Sequence, residues 1–234
     1  MARLNRLTVA GLPHHVVWVG HNGSAVFRDA EDRYLFKRLL TEVSLAHDLP
    51  IHAYALLDTQ VHLLLTPKTA AVLPVFMQTV GRTYVRRFNL RHARRGTLWE
   101  GRFRCTVLEP GALVLEAMVL FDTEAMRGDA PDATARSAWT SGDHYSGLST
   151  ERWLSPPDVY WQLGNTPFAR EDAYRRLLSH GVRASRRQEL LDAAWHGWPQ
   201  GSAAFLVWLA GHAQRRVTKA RAGRPPKPPS SVPN

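Results

Sequence analysis

Apolar residues recur along the chain with two different spacings, and the changes from one spacing to the other predict its strands and helices. Apolar residues at every second position place side chains on opposite faces of a strand, whereas apolar residues at every third or fourth position share one helix face. Asp58 and Thr59 separate two strand-like runs by a tight turn, which predicts a hairpin. The predicted strands lie at 13–20, 51–57, 60–66 and in the later half of 97–109, and the predicted helices at 29–50, 70–92 and 111–126.

This order of strand, helix, hairpin, helix, strand, helix predicts an α+β fold class. We expect an antiparallel sheet with helices on one face and the other face left for a ligand. Residues 1–128 are predicted to form this domain, and the Gly, Asp, Ala, Ser and Thr content of 129–153 predicts a surface connection. Residues 154–217 are expected to form a helical C-terminal region, and 218–234 a basic, Pro-rich disordered tail.

Composition limits the class of protein and its partners. The net charge is +10 and the isoelectric point is near 10.4, so the expected partner is a polyanion such as nucleic acid. Cys105 is the single cysteine of the sequence, which excludes an internal disulfide and a cysteine zinc cage. No apolar run has the length of a membrane span and the first residues lack a secretory signal, so we expect a cytoplasmic protein without membrane contact.

Basic and aromatic residues are interleaved between residues 82 and 104, with Glu100 as the one acid. Guanidinium groups track phosphates and aromatic rings stack on bases, so this stretch predicts a nucleic-acid groove. A solvated helix face above core aromatics is the alternative. The candidate contact residues are Arg82, Arg86, Arg91, Arg94, Arg95, Trp99, Arg102, Phe103 and Arg104.

The predicted strand at 60–66 carries a second candidate site. Gln60 and His62 are two positions apart, so they lie on one face of an otherwise apolar strand. This arrangement suits the floor of a metal or phosphate site. The alternative is a structural histidine that is satisfied within the fold.

Several segments resemble the REP-associated tyrosine transposases, a branch of the HUH single-tyrosine transposases. They are GLPHHVVWVGHNGSAVF at 11–27, VHLLLTP at 61–67, QTVGRTYVRRFNLRHARRGTLWEGRFRCTVLE at 78–109, and further stretches at 154–178, 188–205 and 215–228. The resemblance implies an HUH transposase-like, ferredoxin- or RRM-like sheet that acts on DNA hairpins. It also implies a divalent metal on a His-x-His pair and a tyrosine nucleophile on a following helix.

The chain departs from this family at both catalytic positions. Gln60 stands in the place of the first histidine and His62 in that of the second; because an amide is a weaker ligand, we expect no metal or a weakly bound Mg or Mn ion. Leu120 stands in the place of the tyrosine, and leucine has no nucleophilic atom. Glu124 replaces the family's asparagine. Tyr84 is the fallback nucleophile, although its place on an apolar stripe favours core packing.

The expected function is that of a transposase-like pseudoenzyme that recognises hairpin or single-stranded DNA in a bacterial cytoplasm, with association to the nucleoid. Two alternatives stay open. One is an active, metal-dependent single-strand DNA transposase that uses Gln60, His62 and Tyr84, and the other is a regulator that binds RNA hairpins. The sequence leaves the oligomeric state open, with a monomer as the expectation.

Overall fold

A four-stranded antiparallel sheet is the centre of the fold. The computed structural model describes residues 6–126, 139–213 and 215–219, so most of the predicted tail and part of the predicted connection lie outside the described residues. The strands are β1 (His14–Val19), β2 (Ile51–Leu57), β3 (Gln60–Leu65) and β4 (Arg104–Val107), in the order β2-β3-β1-β4. β2 and β3 form the predicted hairpin, and β1 pairs with both β3 and β4.

Helices follow the strands in the predicted order and continue into the C-terminal half. They are α1 (Ala30–Ala46), α2 (Val72–Arg91), α3 (Ala112–Ala125), α4 (Gly142–Tyr145), α5 (Asp158–Trp161), α6 (Pro167–His180), α7 (Ala184–His196) and α8 (Ala203–His212). The hydrophobic pattern did not predict α4 and α5. Each has only four residues, and one helical turn is too short to show a period.

Local sequence explains where α1 begins and which face it buries. The Asp29 side chain accepts a hydrogen bond of 3.0 Å from the Asp32 N–H and so caps the first turn. Glu31 and Asp32 also place negative charge at the positive end of the helix dipole. Phe36 and Leu40, one turn apart, are fully buried and fix α1 to the core.

α1 and α2 cover the sheet face to which Trp18 projects. The Trp18 ring lies directly against Gly81 of α2, where a Cβ would be 2.1 Å from a ring carbon. Glycine is therefore required at this position for α2 to approach the sheet. Val61 lies opposite Trp18 on β3 and is buried on the same face.

The opposite sheet face is covered as well, which corrects the expectation that it is left for a ligand. His15 and His62 project to this face, and the Phe121 ring of α3 packs on both. Next to them, Thr106 of β4 donates a hydrogen bond to the carbonyl of Trp198, which follows α7. The predicted α+β class and antiparallel sheet are confirmed, but both faces are packed.

Residues 139–153 do not form the surface connection that their composition predicted. The Leu56 N–H donates to the Trp139 carbonyl at 2.9 Å, and Thr140 forms an isolated bridge to the same edge of the sheet. Tyr145 is fully buried. The small polar residues of this segment therefore allow close packing along β2. The domain boundaries themselves stay a prediction.

We expect Gly81→Ala to destabilise the protein by about 1–3 kcal/mol, because the added methyl group overlaps the Trp18 ring. Chemical unfolding monitored by circular dichroism measures this loss. Gly211→Ala is the matched control: it lies in α8, and a Cβ there meets nothing within 4 Å. Equal stability of the two variants would contradict the role given to Gly81.

Candidate nucleic-acid interface and histidine pair

β3 presents Gln60 and His62 on one face, as the strand period predicted. Gln60 is half-buried at the start of the strand, whereas His62 is 1% exposed. The strand register places His62 opposite Val17 of β1 and Ala55 of β2, in the interior of the sheet. The two candidate metal ligands therefore differ in their access to solvent.

His62 is paired with His15, a residue that the sequence analysis did not select. The Nε2 atom of His15 and the Nδ1 atom of His62 are 2.9 Å apart, so one nitrogen donates a hydrogen bond to the other. Burial lowers the pKa of His62 to about 4 and the pKa of His15 well below its ordinary value, so the pair is neutral at pH 7. Sequence could have suggested His15 only through the strand register.

The Phe121 ring closes the histidine pair off from solvent. Its centroid lies 4.7 Å from the ring of His15 and 5.4 Å from that of His62. The remaining nitrogens, His15 Nδ1 and His62 Nε2, are buried and have no hydrogen-bond partner within the described part of the chain. The pair is thus an internal contact in an apolar setting.

These residues do not fit a catalytic divalent metal. A catalytic ion needs open coordination positions for substrate or water, and the free nitrogen of His62 has no solvent access. Gln60 offers only a neutral amide oxygen. Within the described ranges, three ligand atoms that could share an ion come together only at Asp29, Asp32 and His92, in another part of the fold.

A guanidinium group lies within that acidic cluster. Arg91 Nη1 is 2.9 Å from Asp29 Oδ1 and 2.7 Å from the buried Asp32, and Arg91 Nη2 is 2.7 Å from Glu31. His92 Nε2 is 2.9 Å from Asp32 Oδ2. The cluster joins the start of α1 to the end of α2. Arg91 is thus already paired, which corrects its selection as a phosphate contact.

Leu120 and its neighbour Phe121 occupy α3 at the histidine face. Leu120 is fully buried in the core. Because consecutive helix residues point about 100° apart, the two side chains leave α3 in different directions, and it is Phe121 that contacts the histidine pair.

Tyr84, the fallback nucleophile, lies on the other side of the sheet. It is fully buried, and its hydroxyl donates to the Val26 carbonyl at 2.6 Å. Burial also raises the pKa of Tyr84.

Two acids of α3 fix this helix to the C-terminal half of the chain. Asp122 is fully buried and accepts a hydrogen bond of 2.6 Å from the Tyr174 hydroxyl of α6. Burial raises the pKa of Asp122 to about 7. Glu124 accepts two hydrogen bonds, of 2.5 and 2.6 Å, from Arg187 of α7. An acid inside the apolar run GALVLEAMVLFDTEAM was the signal for Asp122 that the sequence analysis left unused.

Other arginines form an exposed basic surface around the end of α2. Within the described residues they have no ion pair, in contrast to Arg91. Arg94 and Arg104 make further contacts within the fold. Arg94 donates a hydrogen bond to the Thr97 carbonyl, and the Arg104 guanidinium lies 3.9 Å from the Trp195 ring centroid. We call the exposed set the arginine surface; it consists of Arg82, Arg86, Arg87, Arg95 and Arg102.

An apolar groove of about 640 Å³ lies beside the arginine surface, between α2 and residues 99–103. Trp18 and Trp99 form part of its wall and stack on each other, with ring centroids 4.2 Å apart and an angle of 14°. Trp99 and Phe103 are only 5% and 6% exposed. They are almost fully buried in the core, so their predicted contact with nucleic acid stays a prediction.

A family comparison agrees with this fold. Residues 8–112 match the model of the IS200-like transposases. This part of the chain is similar to the IS200-like transposases. The match confirms the resemblance to single-tyrosine transposases seen in the sequence, and it ends at the start of α3, before Leu120.

Solved structures add support for the architecture. A REP-associated tyrosine transposase bound to a REP hairpin covers 68% of this chain and 93% of its own, with a TM-score of 0.53 and 10% identity, so it shares the fold. A transposase-like protein from Deinococcus radiodurans is 23% identical and covers 44% of this chain and 84% of its own (TM-score 0.35). Yeast tRNA(His) guanylyltransferase is 13% identical and covers 84% and 82% (TM-score 0.41). The last two likenesses are too weak to support an argument.

Two further findings concern the chain. The chain has no match among curated protein sequences. In the part of the chain that the structure describes, no helix combines the length and apolar character needed to span a bilayer.

We expect the histidine pair to make the protein less stable in acid. His62 has a folded-state pKa of about 4, below the ordinary value of 6.5, so the unfolded chain binds more protons between these values. The contribution of neutral, buried His62 to the free energy of unfolding is fully present above pH 6.5. It is lost as the pH falls towards 4, by up to ~3 kcal/mol. Urea unfolding across this pH range measures the decline.

His62→Asn is the variant that isolates this effect. Asparagine can still hydrogen-bond to His15 but does not titrate, so the variant should lose less stability than the wild type between pH 6.5 and 4. The same decline in both proteins would show that His62 is not the group responsible.

Proposed function

We propose that this chain is an IS200-like transposase of the REP-associated type that binds hairpin or single-stranded DNA and does not cleave it. The observation that carries the proposal is the arginine surface next to an apolar groove, on a fold shared with a transposase that is bound to a REP hairpin. A chromosomal DNA ligand would place the protein in the bacterial cytoplasm. That it acts as a monomer stays a prediction.

Electrostatics support nucleic acid as the ligand. Cations that are free of internal ion pairs can neutralise phosphates and release the counterions bound to them. The arginines of this surface meet that condition within the described residues, and the whole chain carries a net charge of +10. Such binding is strong at low salt and weakens steeply as salt is added.

Contacts around the histidine pair support the absence of cleavage. Leu120 has no nucleophilic atom, and Phe121, which faces His62, lacks a hydroxyl. His62 is neutral, buried and bonded to His15, so it is not available to hold an ion that polarises a phosphate. Each requirement of the transposition chemistry is thereby removed at a different residue.

Tyr84 does not restore the missing nucleophile. Its hydroxyl is buried and already donates to a main-chain carbonyl, and the sheet lies between it and the histidine face. A buried phenol with a raised pKa is a poor source of the phenolate that would attack phosphorus. These contacts argue against the alternative of an active transposase that uses Gln60, His62 and Tyr84.

Removal of two arginines should weaken DNA binding and its salt dependence together. For Arg82→Ala combined with Arg86→Ala, we expect the slope of log affinity against log salt to fall by about one for each arginine that contacts a phosphate. Fluorescence anisotropy with a labelled DNA hairpin measures both quantities.

Arg38→Ala combined with Arg176→Ala is the charge-matched control. Both arginines are exposed, on α1 and α6, and each pairs with an acid on its own helix. This double variant should bind nearly as well as the wild type. An equal loss in the two double variants would mean that net charge, and not the arginine surface, determines binding.

No covalent protein–DNA adduct is expected when the protein is incubated with hairpin DNA and Mg²⁺ or Mn²⁺. Denaturing electrophoresis and mass spectrometry detect such an adduct. An adduct that is absent in Tyr84→Phe would establish the active alternative. Competition between matched DNA and RNA hairpins tests the alternative of a regulator that binds RNA hairpins. A preference for the RNA hairpin would show that RNA, and not DNA, is the ligand.

A further inference from the structure

Helix α8 carries an apolar surface that its contacts within the described residues leave uncovered. The helix contains no Asp, Glu, Lys or Arg, yet Leu209 is its one buried residue. Val207 is 75% exposed and Trp208 is 47% exposed. A helix that is apolar on all sides is normally buried, and a contiguous exposed apolar patch normally marks a contact site. The surface of α8 is therefore suited to hold a further segment of protein.

Three rings follow one another along the exposed side of α8. Phe205, Trp208 and His212 are three or four positions apart, so they lie on the same helix face. The centroids of Phe205 and Trp208 are 6.0 Å apart at an angle of 25°, and those of Trp208 and His212 are 4.4 Å apart at 27°. We call these three residues the ring row. Surfaces lined by aromatic rings bind proline-rich segments, whose extended conformation is already ordered before binding.

An acidic side chain lies at the Phe205 end of the ring row. A Cβ on Gly201 would overlap a ring carbon of Phe205 and lie 2.9 Å from the Glu109 Cβ, so Phe205 and Glu109 flank the same residue. The Glu109 carboxylate accepts hydrogen bonds from the N–H and the hydroxyl of Ser202, at 2.6 and 2.9 Å. It has no ion pair within the part of the chain that the structure describes. This carboxylate therefore offers a negative charge to a basic side chain.

The C-terminal sequence of the same chain has the complementary composition. The described residues end at Lys219, two positions after Val217, which is buried against Leu209 of α8. The sequence continues with ARAGRPPKPPSSVPN at 220–234, where RPPKPP at 224–229 combines prolines with two basic residues. A proline-rich chain extends by about 3.1 Å per residue, so the stretch from Val217 to Arg224 spans about 22 Å. Since α8 is only about 15 Å long, the segment 224–229 reaches any part of the ring row.

We propose that the proline-rich segment 224–229 docks on the ring row of α8, with its prolines against the rings and a basic residue beside Glu109. The tether keeps the segment near the helix at an effective concentration of about millimolar, so weak packing is sufficient. The inference does not depend on the proposed function, because α8 contributes no residue to the arginine surface or to the groove beside it.

A second copy of the chain matches this surface less well. One helix about 15 Å long and about 10 Å wide presents far less than the ~800 Å² that each partner buries in a standard interface. Two copies that each carry a net charge of +10 also repel each other. The tail of the same chain meets neither obstacle.

A nitroxide label on the tail tests the contact by NMR. Cys105 is buried, so the cysteine introduced by Ser230→Cys is the thiol that reacts with the label. The label broadens the indole N–H signals of nearby tryptophans. We expect the Trp208 signal to lose about half of its intensity or more, given the effective concentration that the tether provides. Trp161, which is 51% exposed and lies on α5 beside α3, should keep its intensity.

Pro225→Ser combined with Pro226→Ser removes two docking prolines and keeps the charge and length of the tail. In the labelled protein, this double variant should restore the Trp208 signal. Pro233→Ser, on the far side of the label, is the matched control and should leave the loss unchanged. All three substitutions lie outside the described residues, so the sequence of the folded part stays the same.

Each other outcome overturns the inference. A Trp208 signal without any loss would show that the segment does not contact α8. Equal loss at Trp208 and Trp161, or a loss that persists in the double proline variant, would show contact without specificity for the ring row. Loss in a mixture where the nitroxide and the isotope label are on different copies would show that a second copy covers α8.

Discussion

Packing of α3 against the histidine face of the sheet is the contact on which the rest of the structure depends. Phe121 covers His15 and His62, while Asp122 and Glu124 attach the same helix to the C-terminal half. Because Phe121 covers both imidazoles, this face of the sheet directs them to the interior of the fold and not to solvent. The sheet keeps its architecture, and its histidines act as core residues.

The two sides of the molecule therefore have different roles. The sheet face that carries the histidine pair is covered by α3 and α7, which pack against the strands. On the other side, α2 packs its apolar stripe against the sheet, and the arginine surface beside the groove forms no ion pair with another described residue. On this same side, the acids at the start of α1 bind Arg91 and hold α1 and α2 together.

Periodic and local features could be predicted from the sequence, whereas contacts across the fold could not. The hairpin, the stripe of α2 and the family segments were recognised because each lies within one continuous stretch. The burial of Trp99 and Phe103 could not be predicted, because an aromatic residue near arginines has the same sequence signature in a groove as in a core. Arg91 meets acids some sixty positions earlier in the chain, and only tertiary structure shows that pairing.

Enclosure of the histidine pair also limits what one substitution can change. A change of Leu120 to tyrosine alone would add a hydroxyl to α3, yet the imidazoles of His15 and His62 would remain uncharged and covered by the Phe121 ring, with glutamine at position 60. Under the proposed function, one substitution on α3 therefore does not supply the chemistry of strand cutting.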